Sequence, residues 1–416
     1  MNRYARGLYM AKLALLGGAP VRGKPYMQWP HSDEREIEAA AEVIRSGKWF
    51  RHDGTKVEEF EKAFSKLHGA AYGIAVTSGT AALEIPIACM GIGPGDEVIV
   101  PSFTFIATAT AVVVNGATPV FADIQPDTYN MDPKSFEAAI TERTKAVIPV
   151  HFAGFPCDMD EIMAVAAEHG LLVLEDAAHA HGGAYKDKMM GSIGVAGAFS
   201  FQASKNITSG EGGICLSSDV VLAEKMFSRH TFGRLPGRPW YEHFVVGTNA
   251  RMTEIQAAIL LVQMERLAGQ NRERAANAQV LDKALGAFPE ELGLMRANGE
   301  AAKNRAYHLY MFKYRQGGAL AGVSRETFAK AMKAEGVPVM LGYDIPLYKQ
   351  AVFTHIRGGI GQNAAYGDLY HPVAEQAVKE SLWIPQQALV GDSGQADDIA
   401  AAVEKIIKNA SELKAL

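Results

Sequence analysis

Four short segments of this 416-residue chain carry residue types at spacings that could do chemistry. Lys205 lies in Ser200-Phe201-Gln202-Ala203-Ser204-Lys205-Asn206, just ahead of Gly210-Glu211-Gly212-Gly213. A lysine in a polar, glycine-rich loop after a strand can form a Schiff base once its surroundings lower its pKa. Most lone lysines are solvated surface charges, so its companions matter. In Leu174-Glu175-Asp176-Ala177-Ala178-His179, Asp176 stands at the carboxyl end of a strand, 29 residues before Lys205 (205 − 176), room for one strand-to-strand crossover. Ligands of open α/β sheets bind beyond the carboxyl ends of strands, where a carboxylate can keep a pyridine nitrogen protonated. By itself, such an acid reads as a cap or half of a salt bridge. Thr77-Ser78-Gly79-Thr80 is a small-residue turn opening a helix, whose free N–H groups and dipole suit a phosphate. Pro101-Ser102-Phe103-Thr104-Phe105 places aromatics just beyond a strand, where one could stack on a flat ring; taken alone it is core packing.

These segments need a scaffold that brings strand ends together, and the pattern supplies one. Apolar runs at Tyr72–Thr77, Glu97–Pro101, Thr118–Asp123, Thr144–His151, Leu171–Asp176, Ala196–Phe201 and Gly213–Ser217 read as strands. Helical patterns at Thr80–Gly91, Phe105–Asn115, Pro133–Ala139 and Met159–His169 alternate with them. The alternation predicts an α/β fold with a mainly parallel sheet. Two helices precede it, Ser32–Ser46 with Ser32 as N-cap and Lys56–His68. Pro86 falls inside the Thr80–Gly91 pattern, where it removes one backbone bond and should kink the helix. A long helix from Thr253 to about Ala276 should bury Ile255, Ala258, Ile259, Val262 and Leu267. A second α+β region follows. The expected division is an arm at 1–28, a large domain at 29–265 and a small domain at 266–416, with the boundary inside the long helix.

Composition narrows the function classes. A net charge of −5 and a pI near 6.2 offer no electrostatic footprint for nucleic acid. Cys89, Cys157 and Cys215 have neither metal-ligand nor disulfide spacing, so no metal is expected and a reducing cytoplasm fits. In Met1–Gly17, Arg3 and Arg6 precede an apolar stretch that Lys12 splits, without a clear cleavage site. It reads as a disordered arm or an upstream mis-start, with Met10 as an alternative start. The longest apolar run, Ile106–Ala122, contains Asn115, Gly116 and Pro119 and is not a membrane span. Gly91-Ile92-Gly93-Pro94-Gly95-Asp96 follows a helix and precedes a strand, the reverse of a dinucleotide fingerprint.

Taken jointly, the motifs resemble the DegT/DnrJ/EryC1/StrS sugar aminotransferases, a branch of the fold-type-I pyridoxal-phosphate enzymes. The resemblance covers about Trp29 to Ile406. It rests on the Thr-Ser-Gly-Thr turn, Gly-Asp-Glu-Val-Ile-Val-Pro at 95–101, Glu-Asp-Ala-Ala at 175–178, Ser-Phe-x-x-x-Lys-Asn at 200–206, Gly-Glu-Gly-Gly at 210–213 and Gly-x-Asn-x-Arg-Met at 247–252. It implies an aspartate-aminotransferase-like large domain with a smaller C-terminal α+β domain. Lys205 would hold pyridoxal phosphate as an internal aldimine and Asp176 would pair with the pyridine nitrogen. Ser78, Gly79, Thr80 and Ser200 would form the phosphate site, and Phe105 would stack on the ring. Asn249 would reach the phosphate of a neighbouring subunit in a homodimer with shared sites. Two residues depart from the pattern: His179 stands where the family often has Gln, and Gln202 where many relatives have an aromatic or His. With Tyr370-His371-Pro372-Val373-Ala374-Glu375 and Leu382-Trp383-Ile384-Pro385-Gln386-Gln387, they resemble the subgroup acting on keto-cyclitols such as scyllo-inosose, which includes 3-amino-5-hydroxybenzoate synthase-like enzymes.

The resemblance implies amino transfer from glutamate or glutamine to a ketone of a sugar or cyclitol, with freed Lys205 moving the proton. A dehydratase of the same family is the alternative enzyme. Relatives performing 3-dehydration on sugars replace the lysine with histidine, so Lys205 favours transamination. Regulators of related fold carry a DNA-binding domain; only about thirty residues precede the family-like region, and the charge is acidic.

Overall fold

The computed structural model describes residues 12–296, 304–354, 366–391 and 394–416. Residues 1–11, including Met10, lie outside them. Strands β1 (Tyr72–Val76), β2 (Glu97–Pro101), β3 (Thr118–Ala122), β4 (Thr144–Val147), β5 (Leu172–Asp176), β6 (Ala184–Tyr185), β7 (Lys188–Met189), β8 (Ala196–Ser200) and β9 (Gly213–Ser217) belong to the first part of the chain. Seven of them form one sheet in the order β1-β9-β8-β5-β4-β2-β3, and β6 and β7 form a separate hairpin. Every pairing in the large sheet is parallel except the two made by β9, so the other six strands all run the same way. Their carboxyl ends therefore share one edge.

β4 is shorter than expected because Pro149 has no N–H for the ladder. The ladder resumes beyond it, where Val150 bridges Asp176. The helices between strands run Gly79–Cys89, Ala107–Val114, Pro133–Ala138 and Met159–Glu168, each within two residues of expectation. Pro86 lies buried within the first, which runs on to Cys89. One N-cap is corrected. The first long helix, Glu34–Ser46, is capped by Asp33 and not Ser32, because the Asp33 carboxylate accepts from Arg35 N–H while Glu36 reaches back to Asp33 N–H.

The long helix is also longer than its sequence pattern suggested, running Glu254–Leu285. Its first half packs Ala257, Leu260 and Leu267 against Phe60, Phe64, Phe199 and Phe201 under the large sheet. Its second half packs Ala278, Leu281 and Leu285 against the antiparallel sheet β10 (Leu292–Leu294), β11 (Leu309–Tyr314) and β12 (Ser381–Pro385). Of the expected apolar face, Ala258 and Leu267 are buried, while Ile255, Ile259 and Val262 are only half-buried. The helix thus ties two hydrophobic cores together rigidly.

Of the loose arm expected at Met1–Gly17, the described residues 12–17 are packed onto the protein. Leu13 is fully buried in the core around β11 and β12. Glu335 explains the attachment: its carboxylate accepts from Ala14 N–H at 2.9 Å, Val21 N–H at 3.0 Å and the Lys405 ammonium at 2.9 Å. Lys405 also donates to Ala19 O at 2.9 Å. Both charged side chains are 1% exposed. Removing one member of a buried, hydrogen-bonded ion pair strands the other charge, which costs about 3–5 kcal/mol. Lys405→Met should therefore lower the urea-unfolding free energy by about that amount. A change under roughly 1 kcal/mol, the range of a surface pair, would show the pair to be energetically idle.

Candidate active site

The shared edge of the six co-directional strands gathers the four chemical segments. At the end of β1, Ser78 caps the helix Gly79–Cys89, its hydroxyl accepting from Ala81 N–H at 3.1 Å. The N–H groups of Gly79 and Thr80 precede the helical ladder and point outward from the helix end. A side chain at Gly79 would put its Cβ 2.6 Å from Ser200 Cβ, so only glycine lets this turn lie against the end of β8. At Gly213 a Cβ would come within 2.3 Å of Ser78 O. Ser78, Gly79, Thr80 and Ser200 are thereby brought together as a small-residue cradle at a helix N-terminus, which favours an anionic group such as phosphate.

β5 delivers two acids to opposite faces, as strand alternation demands. Asp176 points to the side of the helix Ala107–Val114 and accepts from Thr108 Oγ1 at 2.9 Å and Ala178 N–H at 3.2 Å. Burial raises its pKa; those two hydrogen bonds and nearby Lys205 oppose the rise. Glu175 faces the other way and is fully consumed by structure. It pairs with His151 Nε2 at 2.8 Å and accepts N–H bonds from Gly191, Ile193 and Gly194 at 2.6–2.7 Å. Asp176 is thus the acid that faces the site.

Lys205 closes a turn, its N–H donating to Gln202 O at 2.9 Å. Trp29 Nε1–H donates to Lys205 O at 3.1 Å, and buried Asn206 donates from Nδ2 to Ala306 O at 2.7 Å. The loop is therefore held from both flanks. Burial pulls the Lys205 amine down to about 8, against a smaller upward pull from Asp176. A mostly solvated lysine would remain near 10.4. Gln202 is exposed and its Oε1 accepts from Ser204 N–H and Oγ, so it shapes the loop.

His179 sits beyond β5 with its Nδ1 accepting from Ala153 N–H at 3.2 Å. Its ring stacks on His308 at 4.1 Å, and Phe152 lies 5.7 Å away. Phe152, Phe103, Tyr343 and Trp383 extend this into an aromatic wall. Burial and the Asp176 charge raise the Tyr343 phenol, placing it within electrostatic reach of the acid. Sequence reasoning missed Trp29, Thr108, Ala153, His308 and Tyr343, because each arrives from an element distant in the chain. Only Thr108, on the helix following the aromatic segment, had a local signal. Phe105 is 57% exposed and precedes the helix Ala107–Val114.

Asn249 is exposed and bridges Thr231, while next to it Thr77 N–H donates to Ala250 O and Val76 bridges Arg251. The segment thus runs along β1 towards the Ser78 turn. Asn249 does not cap the long helix: Thr253 does, with Gln256 completing a capping box. Trp240, Tyr241, Phe244, Val245 and Val246 are exposed on the same stretch of chain. Among the described residues no group of His, Cys, Asp and Glu could hold a metal ion, and no helix is long and apolar enough to cross a membrane.

Comparison with known proteins agrees with this geometry. The model of the DegT/DnrJ/EryC1/StrS aminotransferase family matches residues 30–404. The chain is similar to the spore coat polysaccharide biosynthesis protein SpsC of Bacillus subtilis, at 39% identity across 92% of this chain and 96% of that protein. It is also similar to an L-glutamine:2-deoxy-scyllo-inosose aminotransferase of Streptomyces fradiae, at 37% identity across 97% of this chain and 99% of that one. A crystal structure of 3-amino-5-hydroxybenzoic acid synthase superposes with a TM-score of 0.84 and 31% identity, covering 92% of this chain and 98% of the other.

The electrostatics of the site yield a test on the cofactor-free protein. Labelling of Lys205 by dinitrofluorobenzene, mapped by peptide mass, should rise with pH through a midpoint of about 8. Because Asp176 pulls that value up, Asp176→Asn should move the midpoint lower. A midpoint near the ordinary lysine value in the wild type would contradict the burial of this amine.

Proposed function

Because the chain belongs to the DegT/DnrJ/EryC1/StrS aminotransferase family, we propose that it moves the amino group of glutamine onto the ketone of a keto-cyclitol or keto-sugar. The observation that carries this reading is a buried aspartate at the strand ends with a lysine in its electrostatic reach, beside a helix N-terminus whose free N–H groups suit an anion. The similarity to a glutamine:2-deoxy-scyllo-inosose aminotransferase supports glutamine as donor and a cyclitol ketone as acceptor.

The family is one of pyridoxal-phosphate enzymes, and the residues present fit that group. Gly79 lets the helix N-terminus close against Ser200 as a Cβ would not, Asp176 is buried with its carboxylate held by Thr108, and Lys205 carries an amine of lowered basicity. When bound, pyridoxal phosphate supplies an aldehyde carbon to carry the amino group and a ring to accept an electron pair. The Gly79 and Thr80 N–H groups with Ser200 would hold the phosphate. Asp176, oriented by Thr108 and Ala178, would keep the ring nitrogen protonated. Lys205 is the residue to which the cofactor would be joined. Displaced by the donor, it would take a proton from the substrate carbon as a base and return it as an acid; a pKa near 8 suits both tasks near neutral pH.

Asn249 would complete the phosphate site of a second subunit, which makes a two-fold homodimer the working unit. Its exposure, and its freedom from any capping duty, support that role. The three cysteines are free thiols, which fits a cytoplasmic location.

Two experiments test the reading. Asp176→Asn should slow turnover by at least roughly 100-fold, the effect of losing a charge-stabilising contact of about 2.7 kcal/mol; near-wild-type turnover would remove Asp176 from the mechanism. Lys205→Ala should be inactive while folded, as should Asn249→Asp, yet mixed subunits of the two variants should regain part of the activity. One site of each hybrid then joins an intact Lys205 to an intact partner Asn249. Failure of the mixture to recover any activity would place Asn249 within its own subunit's chemistry.

A further inference from the structure

His179 and His308 form a stacked pair, their ring centroids 4.1 Å apart and their planes 27° from parallel. The hydrogen bonds on each ring fix where its proton lies. Ala153 N–H donates to His179 Nδ1 at 3.2 Å, and a backbone N–H can only donate. His179 Nδ1 therefore carries a lone pair, and its proton sits on Nε2. The bond requires an uncommon backbone: Ala153 has φ of 55°, in the left-handed region that non-glycine residues rarely occupy. Such strain persists where the surroundings impose it, often at functional sites.

The second ring is fixed the opposite way. Asn206 Nδ2 donates to Ala306 O at 2.7 Å, which leaves Asn206 Oδ1 as the end facing His308 Nδ1 at 3.2 Å. An amide oxygen only accepts, so His308 Nδ1 carries the proton and its Nε2 holds the lone pair. Among the described residues neither Nε2 has a hydrogen-bond partner, and neither is among the buried polar atoms lacking one, so both open on accessible space. Burial, first, keeps both rings from taking a second proton, and the charges of Lys205 and His181 on both rings and of Arg274 on His308 act in the same direction.

Resting on the aminotransferase reading above, we propose that His308 is a substrate-recognising residue. In this pair His179 presents a fixed N–H donor towards the cofactor, and His308 presents a fixed acceptor nitrogen to a hydroxyl of the ketone substrate. The donor matches what a glutamine amide at position 179 would offer, so the departure from the family pattern leaves the hydrogen-bond polarity intact. The acceptor gives the site a reason to prefer a hydroxylated ring. A hydroxyl beside the ketone can donate to it, whereas a ring lacking that hydroxyl would leave the nitrogen without that partner. The amino donor does not need this contact.

Two readouts test the assignment in the full-length enzyme with bound pyridoxal phosphate. Neutron diffraction from deuterium-exchanged crystals should show deuterium on His179 Nε2 and on His308 Nδ1, and none on the other nitrogen of either ring. Deuterium on His179 Nδ1 or on His308 Nε2 would overturn the proposal. In kinetics with glutamine and scyllo-inosose, His308→Leu should raise the KM for scyllo-inosose about fivefold to tenfold, the usual effect of losing one neutral hydrogen bond. The glutamine half-reaction, followed by the cofactor spectrum, should stay within about twofold, since one contact absent from that step is lost. His308→Gln, which keeps an acceptor oxygen, should recover most of the KM. An unchanged KM, or equal slowing of both half-reactions, would mean that His308 only supports the fold. Should the leucine variant fail to fold, the glutamine variant and the neutron map decide. If wild-type enzyme shows no spectral response to glutamine, the aminotransferase reading fails, and the neutron map alone judges the proton positions.

Discussion

Asp176 and Lys205 are each expensive to bury, and each lowers the other's cost. Desolvation pushes the carboxyl towards its neutral acid and the ammonium towards its neutral amine. Their mutual attraction opposes both shifts without cancelling either. A lysine left in water would be protonated and useless as a nucleophile at neutral pH. One buried with no acid nearby would lose its proton too readily to return it. The placement between these extremes depends on the sheet: β5 and β8 are hydrogen-bonded neighbours running in parallel, with Asp176 paired to Ala198. The loop that follows β8 therefore begins beside the acid.

Much of the remaining structure restricts the freedom of those two side chains. Thr108 and Ala178 each hold one Asp176 oxygen, so these two hydrogen bonds set the orientation of the carboxylate. Glu175, one residue away, is occupied by His151 and three backbone N–H groups on the opposite face, which shapes the 191–194 loop behind β8. Trp29 and Asn206 fix the backbone on either side of the Lys205 side chain. Trp29 comes from the segment that Glu335 and Lys405 anchor, while Asn206 is bound to Ala306, just before β11. The lysine loop is therefore held between the two cores that the long helix Glu254–Leu285 connects.

The strands and the four chemical segments were legible in the sequence because each is a local pattern. A buried parallel strand is an apolar run, and a phosphate turn is a cluster of small residues before a helix. What the sequence could not display were relations between distant segments. The reversal of β9 leaves no mark within Gly213–Ser217, since its residues are buried on both faces whichever way it runs. The long helix was read nine residues short (285 − 276), because its apolar face turns from one core to the other and the periodicity blurs. Asp33 displaced Ser32 as N-cap since only Asp33 is three residues ahead of a glutamate that can answer it. His308 and Ala153 carry no motif at all; their part is visible only once His179 lies between them.

The central claim is that Lys205 is the residue that joins and releases the cofactor. It is tested most directly by mixing the protein with pyridoxal phosphate, reducing with borohydride and locating the pyridoxyl group by peptide mass mapping. The account predicts a label on Lys205 alone, lost when glutamine is added before the reductant because the donor has displaced the lysine. A label on any other lysine, or a Lys205 label indifferent to glutamine, would contradict it.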